Sequence, residues 1–434
     1  MKILFENADI LLRSGEKFTV AENSFLAVDD DTISYIGRQR PDGDFDKTKN
    51  MSGKLLMPGL INCHNHSPMV LLRGVGSDLP LQQWLFDTVF PIEDRLTAEE
   101  IKAGSELALL EMIAGGTVSF SDMYFEPQTT IQAVADAGMK ANITRPVQSF
   151  DPNETPEQSY RIKESLELYD KYNNSFDGRV LIDFCIHAEY TCTETVAKAY
   201  IDEVNARNGN LHIHLSETKK EHDECIEKYG KTPAEWFDSL GGFDSSAFAA
   251  HCVWLSESDM ELFRRKGVSV VHNPTSNMKL ASGFAPIPKM LDMGINVALG
   301  TDGASSNNNL DMFEEMHLAS VIHNGRTLDA TVMNADTVLK TATLSGAKVQ
   351  RRENCGELRV GNKADIIAIS LDAPHLVPAL DKKALLTYSA QSSDVAMTMV
   401  DGRILYENGE YKTLDKERIY FDVKKSIRKL YEVE

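Results

Sequence analysis

Four things are scarce in this sequence, and each scarcity removes a class of protein. Cysteine is one: six stand in 434 residues and none forms a C-x-x-C pair, so no disulfide framework is expected and a reduced, cytoplasmic protein is. Long apolar runs are another. None reaches the ~18 residues that a membrane-spanning helix needs. The opening MKILFENADILL is broken by Glu6, Asn7 and Asp9 and is not expected to act as a signal peptide. Positive charge is outweighed, with 45 Lys+Arg against 65 Asp+Glu and a net charge of −20. A surface this acidic repels phosphate backbones, which argues against nucleic acid as a partner. Glycine-rich phosphate loops are the fourth: no G-x-G-x-x-G follows the first strand-like run.

What remains is an ordinary globular composition, 42% hydrophobic and 25% charged. Both chain ends read as short alternating strands: MKILFENADILL and FLAVDDDTISYIG at one end, ADIIAISLD and VAMTMVDGRILYENGEY at the other. Neither end holds enough strands to close a sandwich alone. The two are therefore expected to pair into a small β-sandwich domain, residues 1–55 with 356–434, the latter including a charged terminal helix, VKKSIRKLYEVE.

Residues 56–355 have a different rhythm. Strand-like runs (KLLMPGLINCHNH, TVSFSDMYF, KANITRPV, GRVLIDFCIH, NLHIHLSE, AFAAHCVWL, VSVVHNP and INVALGTDG) alternate with helical patterns. In TAEEIKAGSELALLEMIAGG, Thr97 and Glu100 form a capping box, and Gly115-Gly116 stops the helix. Eight such units predict a (β/α)₈ TIM barrel. A doubly wound sheet is the second option, disfavoured by the eight units and the missing glycine loop.

In a (β/α)₈ barrel the reactive side chains come from the C-terminal ends of the strands. The first run closes on His64-Asn65-His66 and the fifth on His212-Ile213-His214, with Glu217 three residues on; the sixth ends at His251 and the eighth at Asp302. His64 and His66 are two apart on a strand, so both imidazoles share a face and can hold one divalent cation. Surface histidine pairs are common, and H-x-H alone says little. Unrelated loop duties for four such residues at one end of one barrel would be a coincidence.

The segments MPGLINCHNH, LPLQQWLFDTVFPIEDRL, CIHAEYTC, HIHLSET, AAHCVWL, VHNPTSNMKLASGFAP and LGTDGASSNNNLDMF together resemble the amidohydrolase superfamily. Within it they are most similar to the 5-methylthioadenosine/S-adenosylhomocysteine deaminase branch. The likeness runs over nearly the whole chain, the split β-domain included.

That resemblance implies one divalent ion per subunit, Zn²⁺ first among the candidates, held by His64, His66, His214 and Asp302 with water completing the shell. Three neutral imidazoles and one carboxylate leave the cation net positive, which makes water a usable nucleophile near neutral pH. Binuclear relatives carry a bridging lysine at the end of strand four. VLIDFCIHAEY has His187 and no lysine there, so a mononuclear site is implied.

The implied reaction is hydrolytic deamination of the adenine 6-amino group, giving ammonia and the inosine analogue. Asp302 would take a proton from the attacking water, Glu217 would protonate N1, and His251 would stabilise the tetrahedral centre. Glu93 would accept hydrogen bonds from the ribose hydroxyls and His187 would contact the purine. Arg145 and Arg161 would line the 5′-substituent end, where a guanidinium fork suits the carboxylate of S-adenosylhomocysteine. One of the two is expected to reach across a subunit interface in a homo-oligomer.

Trp84 packs either on substrate or in the core, and His212 and His272 are left without a role. The choice among S-adenosylhomocysteine, methylthioadenosine, adenosine and 5′-deoxyadenosine stays open. Two alternatives stand beside this one. A mononuclear amidohydrolase acting on guanine, cytosine or a chlorotriazine would have no use for Glu93 as a ribose grip. A non-catalytic scaffold of the same fold would be expected to have lost part of the ligand set.

Overall fold

The apolar stretch KLLMPGLINCHNH reads as one strand, but Pro58 and Gly59 divide it between two sheets. In the computed structural model, which describes residues 1–79 and 81–432, the first half, Lys54–Pro58, belongs to a sheet built from both chain ends. It runs parallel to Lys2–Ser14 and antiparallel to Ile366–Ser370. Beyond the first lie Lys17–Asp29 and Thr32–Gly37; beyond the second lie Val395–Val400, Arg403–Glu407 and Glu410–Tyr411. Lys47–Asn50 pairs on Lys2–Ser14 and completes nine strands. The sheet holds its own apolar cluster, Ile3, Phe5, Ile10, Leu26, Val28, Leu56, Ile366 and Met399 among it. It therefore takes in the few residues past 55 that were expected in the barrel.

The second half, Leu60–Asn65, is the first strand of the barrel. Parallel pairing carries on through Thr117–Met123, Lys140–Thr144 and Val180–Ile182. A second parallel set holds Pro146–Val147, Phe184–Ile186, Asn210–Leu215, Ser246–His251, Ser269–His272 and Val297–Leu299. The third and fourth strands are each interrupted, at Arg145 and Asp183, and give one piece to each set. The eighth meets the first through the side chain of Asn62, whose Nδ2 donates to Thr301 Oγ1 at 2.7 Å and whose Oδ1 accepts from the Thr301 N–H at 3.0 Å. These strands are buried along nearly their whole length, as a sheet covered on both faces must be. The fold is the expected (β/α)₈ barrel.

The helices obey their local signals. Ala98–Ala114 begins at Thr97, whose N–H donates to Glu100 Oε2 at 3.0 Å, and ends at Gly115. The terminal helix, Lys416–Tyr431, departs from expectation. Its place in the sequence puts it with the end sheet, yet it packs on Ala98–Ala114 of the barrel. Arg418 grips Glu106 through both terminal nitrogens at 2.9 Å, Lys429 reaches Glu100 at 2.8 Å, and Tyr431 Oη donates to Leu71 O at 3.0 Å. Leu430 joins the apolar cluster of Met69, Leu72 and Trp84. Glu99, Glu100 and Glu106 of Ala98–Ala114 thus pair with Lys425, Lys429 and Arg418, basic residues spaced along the terminal helix.

Candidate active site

Strand ends deliver the side chains, and the backbone is bent to aim them. His251 and Asp302 have φ of 70° and 62°, and Ser216 and Cys252 of 48° and 51°. All four are non-glycine residues in the left-handed region, each at a cost of about 1–3 kcal/mol that the surroundings must offset. The bonds that hold the turns run between strands: Asp302 N–H donates to His64 O at 2.9 Å, and Cys252 N–H to Leu215 O at 3.1 Å. Gly300 lets the eighth strand approach this closely. A Cβ there would lie 2.7 Å from Asn273 Oδ1 and 2.8 Å from the His64 nitrogen.

The three predicted imidazole ligands converge through the same ring atom. His66 Nδ1 donates to Met123 O at 2.6 Å and His214 Nδ1 to His187 O at 2.9 Å, which leaves both Nε2 atoms as lone-pair donors. The two Nε2 atoms are 3.4 Å apart. His64 Nδ1 faces His212 Nε2 at 2.9 Å, and its own Nε2 is buried without a hydrogen-bond partner. Asp302 Oδ1 lies 3.4 Å from His64 Nε2 and 3.2 Å from His66 Nε2. Its carboxylate is fixed by Gly303 N–H at 2.8 Å on Oδ1 and by Ser276 and Ser306 hydroxyls, each 2.7 Å from Oδ2. Ligand atoms of His64, His66 and His214, and of His64, His251 and Asp302, lie within 4.8 Å of one another. Convergent nitrogen lone pairs in a dry site repel unless a cation sits among them, so the donor set fits a divalent metal.

Burial and the Asp302 carboxylate act on these groups in opposite directions. Burial pushes His64 down to about 4 and holds His214 well below the usual imidazole range. Burial acts on His66 in the same direction, but the Asp302 carboxylate overrides it and raises that imidazole to about 9. Asp302 itself is pushed up by burial and pulled well below the carboxylate range by His64 and His66.

Around this cluster one cavity is lined by His66, His214, Asp302, Glu217, His251, His187, Glu93, Tyr124 and Trp84. Glu217 is buried, raised above its ordinary range by that burial, and sits 3.9 Å from His251 Nε2. Nδ1 of His251 donates to Asn277 Oδ1 at 2.9 Å, so Nε2 faces the cavity side. Glu93 accepts from Tyr124 Oη at 2.6 Å and is lifted to about 7 by its burial. Burial also lowers His187 to about 3.

The two arginines stand outside this cavity, in an adjoining one of about 850 Å³ that shares Glu93, Phe90, Phe125 and Gln148 with it. Arg145 Nε pairs with Glu164 at 2.8 Å and its Nη1 donates to Pro146 O at 2.8 Å. Arg161 lies over the Tyr160 ring at 4.7 Å.

Several supporting groups were not legible beforehand. Asp122 accepts from the N–H and hydroxyl of Ser67 at 2.7 and 3.0 Å, anchoring the turn after His66. Glu221 Oε2 accepts from the N–H groups of Glu217 and Thr218 at 2.8 and 3.2 Å. Beside it Glu189 is buried; burial raises both carboxyls, Glu221 to about 7, with the charge of Glu217 adding to the rise at Glu221 and that of Glu221 to the rise at Glu189. His272, left without a role, pairs with His323 at 3.0 Å in the interior. Ser306, four residues after Asp302, left a trace in the sequence as part of TDGASS, and Ser276 and Asn277 as part of VHNPTSNMK.

Comparison with known proteins fits this geometry. The profile of the amidohydrolase family matches residues 55–405. A 5-methylthioadenosine/S-adenosylhomocysteine deaminase of Acetivibrio thermocellus is 43% identical, over 99% of this chain and 100% of its own. A 5′-deoxyadenosine deaminase of Methanosarcina acetivorans is 39% identical, over 98% of each chain. Among solved structures, an adenosine deaminase from Xanthomonas campestris with bound zinc superposes with a TM-score of 0.94 at 30% identity, covering 99% of each chain.

Proposed function

The chain belongs to the amidohydrolase family, and we propose that it hydrolyses the 6-amino group of adenosine derivatives, releasing ammonia and the inosine analogue. S-adenosylhomocysteine and 5′-methylthioadenosine are the first substrates to consider, with 5′-deoxyadenosine and adenosine in the same class. The observation that carries this reading is a single cavity in which Glu217, His251 and Asp302 face the same space as the Glu93–Tyr124 pair.

His64, His66, His214 and Asp302 would hold one divalent ion, zinc first. Bound there, it acts as a Lewis acid that makes water acidic enough to attack at neutral pH. The chain's own groups do the rest. Glu217, kept protonatable by its burial, gives its proton to N1 as C6 is attacked. His251, oriented by Asn277, faces the tetrahedral centre through Nε2. Asp302 takes the proton lost by the attacking water and returns it to the departing ammonia, while the proton of the new C6 hydroxyl goes back to Glu217 as the carbonyl forms; two serine donors hold Asp302 in place between these steps. Glu93 has Oε1 committed to Tyr124 and Oε2 left for the ribose diol, and His187 contacts the ring.

The adjoining cavity takes the 5′-substituent. Arg145 is already paired with Glu164, so a substrate carboxylate competes with that pair, whereas a methylthio group does not. A homo-oligomer and a cytoplasmic location belong to the same reading. The six unpaired cysteines support the latter, and light scattering reads the former. No helix among the described residues is long and apolar enough to cross a membrane.

Ammonia release from zinc-loaded protein is the test, with S-adenosylhomocysteine, methylthioadenosine, adenosine, 5′-deoxyadenosine, guanine and cytosine as substrates and Glu217→Gln as control. Turnover of a nucleoside that the control abolishes is expected. Turnover of a free base alone would overturn the substrate class and leave the metal site standing.

A further inference from the structure

We propose that His212 is a positioning residue: its Nε2 accepts a hydrogen bond from His64 Nδ1 and so holds His64 in the tautomer whose Nε2 can bind metal. This rests on the metal reading above. The other two imidazoles set the pattern. His66 and His214 each point Nδ1 at a backbone carbonyl, at 2.6 and 2.9 Å. A carbonyl only accepts, so each of those rings, when neutral, carries its proton on Nδ1 and presents a free pair on Nε2.

His64 has no carbonyl. Its Nδ1 meets His212 Nε2 at 2.9 Å, and an imidazole nitrogen can either give or take. Were His212 the donor, neutral His64 would carry its own proton on Nε2, which then could not be a ligand. With His212 as acceptor, all three rings present Nε2 in the same way.

The arrangement has a cost that argues against a merely structural histidine. As acceptor, His212 must carry its proton on Nδ1, and that atom is buried with no hydrogen-bond partner among the described residues. The ring lies flat against Phe248, with centroids 4.2 Å apart and planes at 27°, in a fully buried position on the strand Asn210–Leu215. An orphaned buried donor costs about 1–3 kcal/mol. A leucine would fill the same space without that cost, so packing alone does not account for an imidazole here. What only the imidazole supplies is an acceptor aimed at His64.

Two variants of similar volume separate the acceptor from the packing. His212→Gln keeps an oxygen in reach of His64 Nδ1, and His212→Leu does not. Zinc affinity, measured by chelator competition on protein whose thermal melt shows it folded, should fall about 10–100-fold in His212→Leu and recover to within a few-fold in His212→Gln. Equal affinity in His212→Leu and wild type would overturn the proposal, as would an equal loss in both variants.

A readout on wild type does not depend on either variant folding. In zinc-loaded protein with ¹⁵N-labelled histidine, long-range ¹H–¹⁵N spectra should show His64 protonated at Nδ1 and His212 unprotonated at Nε2. The reverse assignment overturns the proposal. Failure of the wild type to bind zinc at all would overturn the metal reading and this one with it.

Discussion

The barrel buries charge at both ends, and the two ends treat it differently. At the foot, where the third strand begins, the Lys140 ammonium lies between Asp365, at 2.5 Å, and Asp401, at 2.7 Å, joining the barrel to the end sheet. Nearby, Arg352 gives three hydrogen bonds to the carbonyls of Ala141, Gly178 and Arg179 at 2.8–2.9 Å. Burial alone would discharge Lys140 and Asp365; their mutual attraction wins, holding the lysine up and the aspartate down. At the mouth, by contrast, imidazole nitrogens converge on one carboxylate, His64 Nε2 accepts and donates no hydrogen bond among the described residues, and His251 and Asp302 sit in left-handed backbone. Charge that is matched within the chain holds elements together. Charge and lone pairs left facing a cavity are there for something the chain does not contain.

That contrast can be broken from either end, and the largest effect is expected at the mouth. Glu217→Gln should lower kcat by about 10²–10⁴-fold, with the melting temperature unchanged or raised, since a buried carboxyl has been replaced by a neutral amide. At the foot, Lys140→Met leaves two buried carboxylates facing each other. It should cost about 3–5 kcal/mol in denaturant unfolding while activity per folded molecule stays near wild type. Gly300→Ala joins the two readouts. Its methyl would press on Asn273 and the His64 backbone, and a loss of about 1–3 kcal/mol should come with weaker zinc binding.

Smaller effects sharpen the picture of the cavity. Glu93→Gln should reduce kcat/KM for nucleosides about tenfold, the loss expected when a hydrogen bond to a charged acceptor becomes a neutral one; an unchanged value would remove Glu93 from the ribose site. The smallest is a pH effect on stability. Glu189 and Glu221 are carboxyls whose folded values are raised, Glu221 to about 7. The native state therefore holds protons that the unfolded chain gives up first. The stability they contribute is complete below the ordinary glutamate range and is lost as pH rises through about 7. Glu189→Gln should flatten that decline in melting temperature; a steeper decline would contradict the raised value of Glu189.

How much of this the sequence carried follows from the distance over which each feature is encoded. That His64, His66, His214 and Asp302 gather at one end of the barrel was legible because a strand has a period of two and a barrel collects strand ends; that they form a ligand set is what the family resemblance implied. The capping box at Thr97 and Glu100 is equally local. The partners that fix the imidazoles were not legible, because the carbonyls of Met123 and His187 have no side-chain signature. The left-handed backbone at His251 and Asp302 left no glycine to mark it. The docking of Lys416–Tyr431 on Ala98–Ala114 depends on residues more than 300 positions apart. Two arginines near the 5′ end suggest a grip on a substrate carboxylate, and the pairing of Arg145 with Glu164 that qualifies this appears only when the helix after the third strand is in place.

The measurement closest to the central claim follows 5′-methylthioadenosine incubated with zinc-loaded protein, with adenine-to-hypoxanthine conversion and ammonia read together. Equimolar ammonia and hypoxanthine nucleoside, abolished in folded Glu217→Gln, is the predicted result. No conversion of this or any other adenosine derivative by folded protein with zinc shown to be bound would contradict it.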